Sequence, residues 1–147
     1  MEIIMFAKQL TVFIENRTGR LCEVLNVLKE NNVNILSLSL ADTTEFGLLR
    51  LIVSDPQTGK EKLTENGFSS LLSDVSIIKI PHKAGSLQQL LKVIDQKGVN
   101  IEYMYGLSIE ADDAYVVLKA SDIAQIDAIL AEAGIETITN EHLAKLQ

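Results

Sequence analysis

Two helix starts that open on glycine, 66 positions apart, are where the residue types and spacing of this chain could do chemistry. Glu15-Asn-Arg-Thr-Gly19 and Pro81-His-Lys-Ala-Gly85 each lead into apolar residues at helical spacing. A glycine there leaves the N–H groups of the first turn uncovered beside the positive end of the helix dipole, which suits a carboxylate. An amino acid carries a carboxylate and an ammonium. The side-chain amides of Asn16, Asn34 and Asn100 can accept from the ammonium and donate to the carboxylate. Arg17, Arg20 and Lys83 are either solvated charges or partners of that carboxylate in charge-assisted hydrogen bonds. The plainer alternatives stay open: Gly19 and Gly85 as turn residues, Asn34 and Asn100 as amides that satisfy local backbone, His82 as a surface histidine.

Other chemistry finds less support. Cys22 stands in the first turn of the first helix, where a thiolate can be stabilised. A cysteine nucleophile needs an adjacent base, and the two histidines, His82 and His142, are remote in sequence. No catalytic residue is assigned, and the chain is expected not to be an enzyme. Glu110 and Asp112-Asp113 read as a hairpin turn, since no second ligand group stands at metal-binding spacing. No metal and no cofactor are expected. RNA recognition on a sheet needs stacking aromatics and a basic surface; Tyr103 and Tyr105 form the only aromatic pair on one strand, and the net charge is -7.

The elements that must position the two loops come from a duplication. Residues 10–36 and 76–102 share 8 identities in 27 positions, against roughly two for unrelated segments. From position 54 the offset becomes 67, pairing Ser54-Asp55 with Ser121-Asp122 and Gly67 with Gly134, so one residue was gained near Asp112-Asp113. The period is too long for a solenoid. It implies two small domains, 1–73 and 74–147, the second with a short tail.

Each copy opens with an alternating strand, 10–14 or 76–80, followed by the turn and a helix with one apolar stripe through Leu21, Val24, Leu25 and Leu28 or Leu87, Leu90, Leu91 and Ile94. Asn31-Asn32 and Lys97-Gly98 close these helices. Two strands follow, 34–42 and 47–54 or 100–110 and 114–120. Asp122 caps a second helix in copy two; in copy one Pro56 and Gly59 shorten it to 60–66. Short strands at 68–72 and 135–139 close the copies, and the tail adds a helix through Leu143 and Leu146. The order is the split βαβ, ferredoxin-like plan: α+β, two βαββαβ units in tandem, antiparallel sheets with helices on one face. Gly47–Val53 and Tyr115–Leu118 are apolar on both sides, which fits sheets packed on both faces or central strands with some exposed apolar surface. The strands after the first helices differ in parity, with Leu36, Leu38 and Leu40 against Ile101, Tyr103, Tyr105 and Leu107, as a bulge or two differently covered faces would produce.

Hydrophobic residues make up 47% of the chain and aromatics 5%. Units of this size bury a small share of their surface, so the two are expected to lean on each other, and a homodimer is expected. No apolar run reaches a membrane span, and MEIIMFAKQL lacks the features of a signal peptide. A cytoplasmic protein with no membrane partner is expected. One cysteine excludes an intrachain disulfide framework, and the acidic balance disfavours nucleic acid as partner.

Glu15-Asn-Arg-Thr-Gly-Arg-Leu21, a helix, and then Asn32-Val-Asn-Ile35 resembles the ACT domain, the amino-acid-binding regulatory module of many biosynthetic enzymes. The spelling is most similar to the regulatory segment of phosphoglycerate dehydrogenases. Thr18 stands where that family usually has proline. Copy two keeps Gly85, Leu87 and Val99-Asn100-Ile101 and has His82 in place of the first asparagine. The resemblance covers nearly the whole chain and implies ligand contacts at Asn16, Gly19, Leu21, Asn34 and Ile35 and at Gly85, Leu87, Asn100 and Ile101. Arg17, Thr18, Arg20, His82 and Ser86 join the set as neighbours in the same loops. It further implies paired domains joined through edge strands with ligand at the junction, and a metabolic enzyme as partner. Two functions fit: a free-standing sensor of an L-amino acid that regulates an enzyme of amino-acid metabolism, or an interaction module of the same fold that has lost its ligand.

Overall fold

The computed structural model describes residues 6–15, 17–42, 46–107 and 113–146. Its elements are β1 (Ala7–Glu15), α1 (Arg20–Glu30), β2 (Ile35–Asp42), β3 (Phe46–Val53), α2 (Pro56–Glu65), β4 (Ser69–Pro81), α3 (Ser86–Gln96), β5 (Ile101–Leu107), β6 (Asp113–Ala120), α4 (Ile123–Glu132), β7 (Glu136–Ile138) and α5 (Asn140–Leu146). The chain forms two compact units, Lys8–Ser73 and Asp74–Gln147 with the N-terminal stretch ending at Ala7. Each follows the β-α-β-β-α-β plan, as the duplication implies. One expectation is corrected: the strands at 68–72 and 76–80 are a single strand, β4, of 13 residues. Residues 69–76 contain neither glycine nor proline, so nothing in the chain breaks the extended run.

In the first unit β3 lies between β1 and β2 in antiparallel register, with Val12 opposite Leu49 and Leu40 opposite Leu49 from the other side. Period-2 alternation sends Leu10, Val12 and Ile14 of β1 and Leu49, Leu51 and Val53 of β3 to one face, where they meet Val24, Val27 and Leu28 of α1 and Leu63 of α2. In the second unit β4 pairs with β6 on one side and β7 on the other, and β5 pairs with β6. Ile78, Ile80, Val116 and Leu118 build the equivalent core with Leu90 and Ile94 of α3 and Ile126 and Leu130 of α4. The opposite pleat is covered in part: Ile52, Ile77 and Val117 are 0% exposed and Tyr115 5%, whereas Phe13 and Phe46 on the same side are 39% and 50% exposed. Leu143 of α5 is fully buried while Leu146 is exposed, so one of the two tail leucines is a core residue.

Helix α2 is longer than the 60–66 its sequence suggests. Pro56 sits in its first turn, where a missing N–H costs nothing. Asp55 caps it, accepting from the Thr58 N–H at 3.2 Å and the Thr58 hydroxyl at 2.7 Å. Gly59 lies inside the helix, where an added Cβ would stand 3.2 Å from Leu10 Cδ2 and 3.4 Å from Leu28 Cδ2. The glycine lowers helix propensity but lets α2 approach the sheet. Asp122 caps α4 in the same way, accepting from the Gln125 N–H at 3.1 Å. Asp55→Ala is expected to lower stability by about 1 kcal/mol, measured by chemical denaturation, whereas Asp55→Asn should retain most of it.

The parity difference does not come from a bulge in one copy. The ladder shifts between Ile35 and Ser37 and again between Ile101 and Tyr103, equivalent places in the repeat. The difference lies in which face the side chains populate. Leu38 and Leu40 lie opposite Leu51 and Leu49, on the helix side, yet are 49% and 51% exposed. Tyr103 and Tyr105, opposite Lys119 and Val117, use the other face. The residue gained in copy two falls between Leu107 and Asp113: Ala41 opposes Leu48 at offsets matching Leu107 and Tyr115. Glu110 and Asp112 lie outside the described residues. Among those described, no helix is long and apolar enough to cross a membrane.

Candidate functional site

The two glycine loops have the same backbone. Gly19 and Gly85 adopt φ of 90° and 88° and head α1 and α3 without a side-chain cap. Before them, the N–H of Arg17 donates to the Glu15 carbonyl at 2.8 Å and that of Lys83 to the Pro81 carbonyl at 3.0 Å. After them, Glu23 donates to Gly19 O at 3.0 Å and Gln89 to Gly85 O at 2.9 Å. Uncapped first-turn N–H groups are left for water or a ligand.

Asn34 and Asn100 stand where each chain leaves the helix for its next strand. The Ser54 N–H donates to Asn34 O at 2.9 Å, and the Asn34 N–H to Ser54 Oγ at 2.9 Å. Ser121 donates to Asn100 O through its N–H at 3.1 Å and its hydroxyl at 3.4 Å. The serines that mark the second half of the repeat therefore fix the asparagine main chains. Both asparagines are exposed, and their amides engage no protein group among the described residues.

In the second unit, Gly85, Leu87, Asn100 and Ile101 line one open groove of about 1010 Å³ together with Lys83. Gln88, Leu91, Lys92, Ile94 and Asp95 of α3, with Val99, complete its wall. The loop spelling names none of these as site residues, although Leu91 and Asp95 follow Leu87, and Lys92 follows Gln88, at the i, i+4 spacing of one helix face. Leu87 is 39% exposed. Ser86 does not line the groove; its hydroxyl is shielded from water with no partner. His82 is exposed and also stands outside the lining.

The first unit is arranged otherwise. A smaller cleft of about 270 Å³ is lined by Ile14, Glu15, Arg17, Leu21, Leu40, Ala41 and Gly47. Of the candidate residues it gathers Arg17 and Leu21 alone; Thr18, Gly19, Arg20, Asn34 and Ile35 lie outside its lining, and Asn16 lies outside the described residues. Leu21 and Ile35 pack against the core. Arg17 Nε is 3.0 Å from Glu15 Oε2. Arg20, whose side chain is 16% exposed, donates to Glu23 Oε2 at 2.7 Å and lies 4.2 Å above the Phe68 ring.

Electrostatics elsewhere follow from pairing. Glu136 and then Asp113, 3.6 and 3.5 Å away, raise the Lys79 pKa above 10.5; that stabilisation is present below this value and is lost as pH rises through the folded-state pKa. Lys79 is not part of either cavity lining. Among the described residues no group of three His, Cys, Asp or Glu side chains could hold a metal.

A sequence model of a family described as the ACT domain pair matches residues 5–147. The chain is similar to a protein of Bacteroides thetaiotaomicron known by its crystal structure, with 38% identity over 97% of this chain and 98% of that one and a TM-score of 0.90. It also shares its fold with the ligand-free regulatory subunit of aspartate kinase from Thermus thermophilus, at 15% identity over 89% of this chain and 95% of that one, TM-score 0.61. The same subunit from Thermus flavus gives 15% identity, 88% and 94% coverage and a TM-score of 0.58. No curated protein matches the chain.

Proposed function

The chain belongs to the ACT domain pair family, and from that premise we propose that it is a non-catalytic regulatory protein that binds a free L-amino acid and signals to an enzyme of amino-acid metabolism. The observation that carries the reading is the meeting of Gly85, Leu87, Asn100 and Ile101 in one groove. These residues come from two segments separated by the body of α3, and together they offer what an amino acid needs. The open first turn suits its carboxylate, the free Asn100 amide its ammonium, and Leu87 and Ile101 its side chain. The Thermus relatives of the same fold are regulatory subunits of aspartate kinase, which supports an enzyme as the partner.

A regulator requires ligand to favour one arrangement or oligomer over another, and a homodimer inside the cell is part of this reading. A second reading, an interaction module without ligand, is favoured by Leu38 and Leu40, half-exposed on β2 at the end of the strand order. Thermal unfolding of the purified protein against the twenty amino acids separates the two. A ligand at 100 times its Kd should stabilise the fold by about 2.7 kcal/mol, a rise of a few degrees in Tm. Asn100→Ala should abolish the rise and leave the unliganded Tm within about one degree, because the contacts that hold Asn100 are made by its main chain. The absence of any shift at millimolar concentration would favour the interaction module.

A further inference from the structure

The charges of the two copies have diverged around the same backbone. In copy one, the cations beside the loop are neutralised within the copy: Arg17 by Glu15 at 3.0 Å and Arg20 by Glu23 at 2.7 Å. Position 26, one turn further along α1, is Asn26, whose amide donates to Glu30 at 3.2 Å. Copy two carries Lys83 where copy one has Arg17, Pro81 in place of Glu15, Gln89 in place of Glu23, and Lys92 in place of Asn26. Neither Lys83 nor Lys92 lies within ion-pair distance of a carboxylate among the described residues. Both line the groove, which holds one acidic residue, Asp95. In a chain of net charge -7 this groove is locally positive.

We propose that the groove of the second unit selects a ligand with two carboxylates, an acidic amino acid, and that the first unit has no equivalent site. The inference rests on the sensor reading above and names its ligand class. One carboxylate sits at the start of α3 beside Lys83. Lys92 follows Ser86 by six residues, roughly 9 Å along the helix axis, and helix side chains lean toward the N-terminus, so its ammonium covers the middle of the groove, where the second carboxylate lies. The ligand fills one end of a groove much larger than itself, and the Asn100 amide receives its ammonium.

Calorimetric titration of the whole protein with L-glutamate and L-aspartate, beside L-glutamine, L-asparagine and 2-oxoglutarate, tests this. The acidic amino acids should bind one per chain and at least about fivefold more tightly than their amides. 2-Oxoglutarate, which lacks the ammonium, should bind more weakly than glutamate. Lys92→Gln should remove most of the preference for glutamate over glutamine while leaving the unliganded Tm unchanged, and Arg17→Gln should leave binding intact. A neutral amino acid that binds as tightly as glutamate, two ligands per chain, or a preference unaffected by Lys92→Gln would overturn the inference and leave the sensor reading standing. Binding of none of the amino acids would remove the sensor reading itself and this inference with it.

Discussion

Leu28→Ala is expected to lower the unfolding free energy by about 4 kcal/mol, in the upper part of the range for buried leucine truncations. Leu28 is 0% exposed and belongs with Leu10, Leu51 and Leu63 to the helix-side core of the first unit. The site cannot refill easily. Its neighbour across the helix pair is Gly59, which has no side chain to move into the space. Whole domains have only about 5–15 kcal/mol in hand, so the variant should unfold at much lower denaturant. Leu38→Ala provides the comparison: the same truncation on a half-exposed β2 residue should cost under about 1 kcal/mol. Urea denaturation of both variants measures the difference, and equal costs would contradict the packing described.

The second large effect is at Gly85. Gly85→Val is expected to destabilise the protein by about 2 kcal/mol, because φ of 88° is a conformation that L side chains, β-branched ones above all, rarely adopt. Crowding plays no part, since a Cβ at this position would meet nothing within 4 Å. Gly106 makes the control. Its Cβ would also meet open space, but it lies in β5 with no positive φ, so Gly106→Val should be neutral or stabilising, as strand propensity favours valine over glycine. A cost at Gly106 equal to that at Gly85 would show that exposure of the added side chain, and not backbone conformation, sets the penalty. Gly19→Val should behave like Gly85→Val, because the two loops share their backbone bonds.

The fold was legible because its signals are local and doubled. Apolar periodicity, the paired glycines and the Ser-Asp pairs at 54–55 and 121–122 each specify one element, and each occurs twice. What was missed has physical reasons. Pro56 and Gly59 lower helix propensity, but tertiary approach of α2 to Leu10 and Leu28 and the Asp55 cap outweigh it. The long β4 reads as two strands in the sequence because one copy of the repeat ends and the next begins within it, while the chain itself carries no break there. At the site, the loop spelling identified Gly85, Leu87, Asn100 and Ile101, which do meet. It did not identify Gln88, Leu91, Lys92 and Asp95, since a helix face belongs to no motif. Nor did it separate the copies: Leu21 packs inward and Leu87 stands out, a difference made by the surroundings of each leucine and absent from the shared spelling.

The ladder irregularity at the start of β2 and of β5 stands at equivalent positions of the two copies, although the side chains there, Leu36 and Glu102, have nothing in common and one is buried while the other faces water. The irregularity is thus independent of what the side chain at that position does. Within this chain one backbone frame carries two different surface chemistries.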